Sequence, residues 1–322
     1  MIRRGGVATH PSILQYLSDQ ACGEMPLWLF ARVCGEEANA EEMRASRHYL
    51  PLANEQREDG GYGRFHSMDS LDKTSRLFRT TEQAVQRMRD LMLPPDDPVV
   101  LRVQSALLGY ADGSLAYSDR IEHHPDFDIA LGSMAAANAA ALGSVDERAE
   151  RRKAVCAQYV SSAAEAIVCG KDYEIVWRAS VLERHDLALK PETIHVLWLL
   201  WQNPYLEEEA EHQFLSYLWD RSIYYTPGIP AREKRFADSA QFARWLFVLE
   251  QFSGARTFPR LMREHQTNEF LEQEALRLAG GLAEPYPNGE LLGRYQEGKR
   301  TKPGLIWDTV LRIVSLLQAV ER

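Results

Sequence analysis

The chain of 322 residues is poor in cysteine, with only Cys22, Cys34, Cys156 and Cys169. No two form a Cys-x-x-Cys pair, and four in such a length lack the density of a disulfide framework. A reducing compartment suits them. Long apolar runs are also missing. The longest, Val196-Leu197-Trp198-Leu199-Leu200-Trp201, falls far short of the ~20 residues that cross a bilayer. The amino terminus carries Arg3 and Arg4 but continues into polar Thr9, His10 and Ser12, unlike the apolar stretch of a secretory signal. A cytoplasmic protein is expected, with peripheral membrane contact left open. Basic charge is in deficit: 37 Lys and Arg stand against 46 Asp and Glu, a formal net charge of −9 spread along the chain. Such a field offers phosphate backbones little attraction, so nucleic acid is not an expected partner. Runs that alternate apolar and polar residues are scarce, which leaves almost no β structure to expect. No nucleotide-binding loop, nucleophile elbow or paired zinc motif appears.

What is present is helical periodicity on a scale that can bury a large core, since 45% of the residues are hydrophobic and 10% aromatic. Thr80 with Gln83 makes a capping box, and Ala84, Val85, Met88 and Leu91 follow at helical spacing until Pro94-Pro95. Asp97-Pro98 opens the next helix as N-cap and first-turn proline, and Asp112-Gly113 ends it. The two make a helical hairpin. A second hairpin pairs an alanine-rich helix, Ile129 to Leu142, with one from Val145 to Val168. Ala135, Ala136, Ala137, Ala139, Ala140 and Ala141 allow close approach from several sides, which predicts an inner position for that helix. Further helices are expected over residues 173–185, 192–202, 207–220, 237–253, 268–281 and 305–320, each bounded by Pro, Gly or Asp. A short internal echo links Gly63-Arg64-Phe65 and Thr81 to Gly293-Arg294-Tyr295 and Thr309, as in a repeat. No linker divides the chain, so residues 1–322 are expected to form one domain. Its helical hairpins fit either a closed double ring or an open solenoid.

The segment Gln56-Arg57-Glu58-Asp59-Gly60-Gly61-Tyr62-Gly63-Arg64-Phe65 resembles the glutamine, glycine and aromatic motif of squalene and terpenoid cyclases and, more loosely, of protein prenyltransferase β subunits. Gly63-Arg64-Phe65-His66-Ser67-Met68-Asp69, Asp119-Arg120 and the Trp307-Asp308 helix are similar to features of short, single-ring bacterial relatives. The resemblance implies an all-α fold, an α/α toroid built as a double ring of helical hairpins. It also implies that the loop is structural: glycines for tight turns, an aromatic that stacks, a glutamine that binds helix ends. The chain departs from the family's chemistry. It has no Asp-x-Asp-Asp acid, no aspartate-rich magnesium cluster, and no cysteine with an aspartate two positions before it. Asp96 and Asp97 are explained by N-capping.

Candidate site residues therefore come from two loops and a set of aromatic rings. Asp119-Arg120-Ile121-Glu122-His123-His124-Pro125-Asp126-Phe127-Asp128 could supply a general acid or a metal ligand, or be a solvated loop in which Asp126 or Asp128 caps the next helix. Asp59, His66, Asp69, Glu122, Asp126 and Asp128 are the candidate catalytic residues. Arg64, Arg120, His124, Tyr224, Tyr225, Trp219, Tyr295 and Trp307 are the candidate substrate-binding residues. Arg64 and Asp69 also fit a purely structural role in pinning their loop. Trp198 and Trp245 read as core, and His195, inside an apolar helix, reads as a core histidine rather than a ligand. No metal ligand is assigned and no cofactor is expected, with a magnesium requirement left open. Three functions follow: a terpene cyclase- or synthase-like lyase or isomerase acting on an isoprenoid or similar apolar molecule in a central cavity, a noncatalytic helical-repeat protein that binds a partner or lipid, and a carbohydrate-active (α/α)6-type enzyme. The last needs two carboxylates facing each other. Neither catalysis itself nor oligomeric state is assigned.

Overall fold

A computed structural model of the chain describes residues 11–20, 28, 31, 33, 38–67, 77–117, 119, 126–226, 228–236, 239–280 and 302–321. These residues form fourteen α-helices and no strand. Extended pairing is limited to isolated bridges, such as those of Gly63 and Arg64 with Thr80. The helices are α1 (Pro11–Gln20), α2 (Ala40–Ala45), α3 (Leu50–Glu55), α4 (Thr81–Asp90), α5 (Pro98–Asp112), α6 (Phe127–Ala141) and α7 (Glu147–Val168). They continue with α8 (Tyr173–Arg184), α9 (Ile194–Leu200), α10 (Glu208–Trp219), α11 (Ser239–Phe252), α12 (Phe258–Glu264), α13 (Thr267–Ala279) and α14 (Lys302–Ala319). None is long and apolar enough to cross a membrane. The helices fall into two compact units. One spans residues 49–215; the other gathers the described residues up to His48 and those from Ser216 onward.

In the unit of residues 49–215, the caps read from sequence are in place. Thr80 and Gln83 form a reciprocal capping box on α4. Asp97 caps α5 through the amide of Val99, and left-handed Gly113 closes that helix. Asp146 and Asp172, not singled out in the sequence, cap α7 and α8 in the same way, each contact being worth about 1 kcal/mol. At the centre of this unit lies α6, packed against α4, α5, α7 and α9. Its run from Leu131 to Ala140 is buried throughout. Small side chains make this crowding tolerable, because a helix with methyl groups on every face can be approached from all sides. Asn138 is one of the few polar residues in that run.

In the other unit, α14 packs against α1, α11 and α13, and α13 against α1 and α12. Trp307 is buried here, its indole N–H donating to Leu17 O at 3.0 Å. Arg312 on α14 pairs with Glu250 on α11 at 2.5 Å. Phe236, Phe242, Trp245 and Phe270 form a ring cluster with centroids 5.2–6.3 Å apart.

Four helices, α1, α2, α3 and α12, were not anticipated. Three of them are six or seven residues long, too short for a 3.6-residue period to declare itself. The internal echo does not extend to structure. Thr81 begins α4, whereas Thr309 lies inside α14; Gly293 to Tyr295 fall outside the described residues.

Candidate functional site

The glycine-rich loop between α3 and α4 is held at nearly every residue. Gln56 donates to Gly60 O at 2.9 Å and to Val99 O at 3.0 Å, while its own carbonyl accepts from Arg102 at 2.6 Å. The loop is thereby tied to the first turns of α5. Gly60 has φ +87°, and a Cβ there would stand 2.2 Å from Arg102 O. Asp59 pairs with Arg57 and accepts from Gly61 N at 3.0 Å. The bond to Arg57 holds the Asp59 carboxyl below its ordinary range. Arg57 in turn donates to Gly63 O at 2.7 Å. Tyr62 is buried, its hydroxyl on Leu52 O at 2.6 Å and its amide on Thr81 Oγ1 at 3.0 Å. All these contacts fasten the loop, so Asp59 has a structural occupation.

The same fastening delivers a side chain. Arg64 N donates to Arg79 O at 2.9 Å, Thr81 N to Arg64 O at 2.7 Å, and Glu82 N to Phe65 O at 3.3 Å. Zipped in this register, the chain brings His66 beside the first turn of α4. His66 Nδ1 lies 2.5 Å from Glu82 Oε2. On the other side His195 Nε2 lies 2.6 Å from Glu82 Oε1. His195 is the second residue of α9, a helix started by the Thr193 side chain on Val196 N at 3.3 Å. Asn138 of α6 completes the shell, donating through Nδ2 to Glu82 Oε1 at 3.0 Å and to Met134 O at 2.9 Å. One carboxylate is thus clamped between two imidazoles and an amide contributed by a loop and two further helices.

The side chain of His195 is fully buried, and those of His66 and Glu82 are 19% and 17% exposed. Burial alone would raise the Glu82 carboxyl. The charge and hydrogen bond of His195, followed by those of His66, more than reverse this and hold it far below the usual carboxylate range. The first-turn position on α4 adds favourable backbone N–H groups. The two imidazoles therefore favour the ionised form of Glu82. Aromatic rings surround the group: Trp198 stands 5.2 Å from His195, His66 6.1 Å from His195, and Phe65 6.4 Å from His66. Tyr110 and Tyr117 lie 5.7 and 6.0 Å from Phe65. Beyond Trp198, the Arg89 guanidinium sits 4.6 Å from its ring and 4.4 Å from that of Trp201.

Asp119 holds His66 in place from the second loop. Its carboxylate accepts from His66 N at 2.7 Å and from Ser67 N at 3.0 Å. The two loops singled out in the sequence therefore meet, although through Asp119 and the His66 backbone. Asp126 lies 3.3 Å from His185 and makes no side-chain cap on α6. Asp128 accepts from the Tyr117 hydroxyl at 3.3 Å. Arg64 contributes its backbone to the register described above. Asp69, Arg120, Glu122, His124 and Tyr295 lie outside the described residues. Trp219 is fully buried between Phe252 and His265, and Trp307 is equally buried, so both serve as core. Tyr224 and Tyr225 are about half exposed, and Tyr225 adopts φ +64°.

Glu82, Asn138 and His195 escaped the sequence reading. His195 reads from sequence as a core histidine, while Glu82, in the first turn of a capped helix, and Asn138, in the alanine-rich helix, belong to no motif. Asn138 and His195 share one signal, polarity at buried positions of apolar helices; Glu82, on the mostly polar α4, does not. The donor atoms of His66, Glu82 and His195 all lie within 4.8 Å of one another, close enough to hold a metal ion. No known protein family, curated protein or solved structure matches the chain.

Proposed function

We propose that the protein is an enzyme whose reactive centre is the His66–Glu82–His195 cluster, acting on a small and largely apolar molecule of the isoprenoid class. The observation that carries this reading is the Glu82 carboxylate, clamped between two imidazoles inside an apolar helical unit. Taking ions out of water costs several kcal/mol each, and well-packed apolar side chains would serve stability as well or better. Such groups in such surroundings are characteristic of functional sites. The rings of Phe65, Tyr110, Tyr117 and Trp198 favour an apolar ligand beside this polar point.

The resemblance of residues 56–65 to the cyclase motif supplies the substrate class and supports an α/α toroid as the scaffold. The net charge of −9 disfavours a bare diphosphate and makes uncharged polyprenes of the squalene kind the first choice. With two imidazoles favouring its ionised form, Glu82 suits a basic or electrostatic role better than alkene protonation. A carbohydrate-active reading needs an opposed carboxylate pair, whereas here one carboxylate faces two histidines.

The test is incubation with squalene-type, farnesyl and geranylgeranyl substrates, with product analysis and a binding measurement. The wild-type protein is expected to bind and convert at least one. Glu82→Gln should still bind it but lose conversion by more than about 100-fold, the scale of a removed acid–base or electrostatic group. If every substrate is left unbound and unchanged, the reading fails.

A further inference from the structure

If the cluster is the reactive centre, it still needs an electrophile. The chain has neither the Asp-x-Asp-Asp proton donor nor the aspartate-rich magnesium cluster of the proteins its loop resembles. The geometry points to a divalent transition-metal site, of the zinc class, formed by His66 Nδ1, His195 Nε2 and the Glu82 carboxylate. It rests on the reading that this cluster is the functional centre, but it can be tested without any substrate.

Two imidazoles and one carboxylate are a complete protein donor set for a catalytic zinc, with the fourth position left to water or substrate. Imidazole nitrogens select zinc, cobalt or iron over magnesium, which prefers oxygen ligands. The ligand atoms all lie within 4.8 Å of one another, and the two Glu82 distances fit with little movement. Ligand atoms around a tetrahedral zinc lie roughly 3.4 Å apart, and the Glu82 contacts of 2.5 and 2.6 Å need to open by less than ~1 Å to reach that value. In the metal-free cluster the carboxylate is the common partner of both rings; in the loaded one the cation takes over that bridging position.

The surroundings are those of a supported ligand set. Asn138 donates to Glu82 Oε1 at 3.0 Å and orients the carboxylate. Asp119 fixes the His66 backbone through two amides. His195 is carried by the rigid α9 and stacked edge-on against Trp198. Outer contacts of this kind hold ligands at the angles that a metal requires. A metal there would act as a Lewis acid or activate a bound water beside an apolar ligand.

The experiment is to strip the full-length protein with a chelator and titrate it with cobalt(II) and with zinc. Cobalt should give a visible absorption band of tetrahedral intensity that saturates at a single equivalent. Zinc should displace it and compete with a chromophoric chelator. His66→Ala, on the partly exposed loop, should abolish the saturable band while leaving the circular dichroism and the thermal transition in place. Asn138→Ser should weaken zinc binding by about 10–100-fold. A wild-type protein without a saturable band overturns the inference, as does a His66→Ala variant that binds cobalt unchanged. Metal binding without isoprenoid conversion would defeat the substrate reading alone. Undiminished conversion by the stripped protein would defeat this inference alone.

Discussion

Gly63 shows how tightly single residues govern the presentation of the centre. Its φ of +28° and the Arg79 carbonyl, which would stand 2.0 Å from an added Cβ, leave room for glycine only. The contact is with backbone, so no side-chain rotation relieves it. Gly63→Ala must therefore break the Arg64–Arg79 and Arg64–Thr81 bonds that set His66 beside Glu82. We expect a loss of more than about 2 kcal/mol, read as a lower urea midpoint with unchanged slope; an unaltered midpoint would mean that the register does not depend on this glycine. At this scale the sequence was informative about His66 and silent about its partners. His66 stands in a loop, where polar residues suggest chemistry. Glu82, Asn138 and His195 sit on helices with good local reasons to be there, and only the packing of α4, α6 and α9 reveals that they converge. Spacing along one helix carries no information about which faces of three helices meet.

Among the elements, α6 bears most of the packing burden of its unit. It touches α4, α5, α7 and α9, and Ala136, fully buried, has no free side on which to expand. Ala136→Leu should cost about 1–3 kcal/mol through overpacking, seen as a lower thermal midpoint. The same change at exposed Ala179 on α8 should stay within about 0.5 kcal/mol. Equal effects at the two positions would contradict the central placement of α6. Helices with strong caps or long periodic faces were legible from residue types: Thr80 and Asp97 each mark a start that the fold uses. Short helices such as α3 and α12, which begin near Pro51 and Pro259, were not legible, because one and a half turns give no pattern. Trp219 and Trp307, candidate binding residues by their large amphipathic rings, are both fully buried.

At the scale of the molecule, the helical class follows directly from composition and periodicity, while the closed ring remains part of the proposal drawn from the loop at residues 56–65. That loop builds a frame whose backbone–backbone hydrogen bonds reach Phe65, and the side chain of the next residue enters the polar centre. An acidic chain suits a cation there, since a net charge of −9 draws positive ions toward the protein. The most direct measurement is anomalous diffraction at the zinc edge from crystals of the intact protein grown or soaked with zinc. A peak is expected within bonding distance of His66 Nδ1, His195 Nε2 and a Glu82 carboxylate oxygen. A cluster that keeps its two imidazole–carboxylate hydrogen bonds in saturating zinc, with no peak between those three side chains, would contradict it.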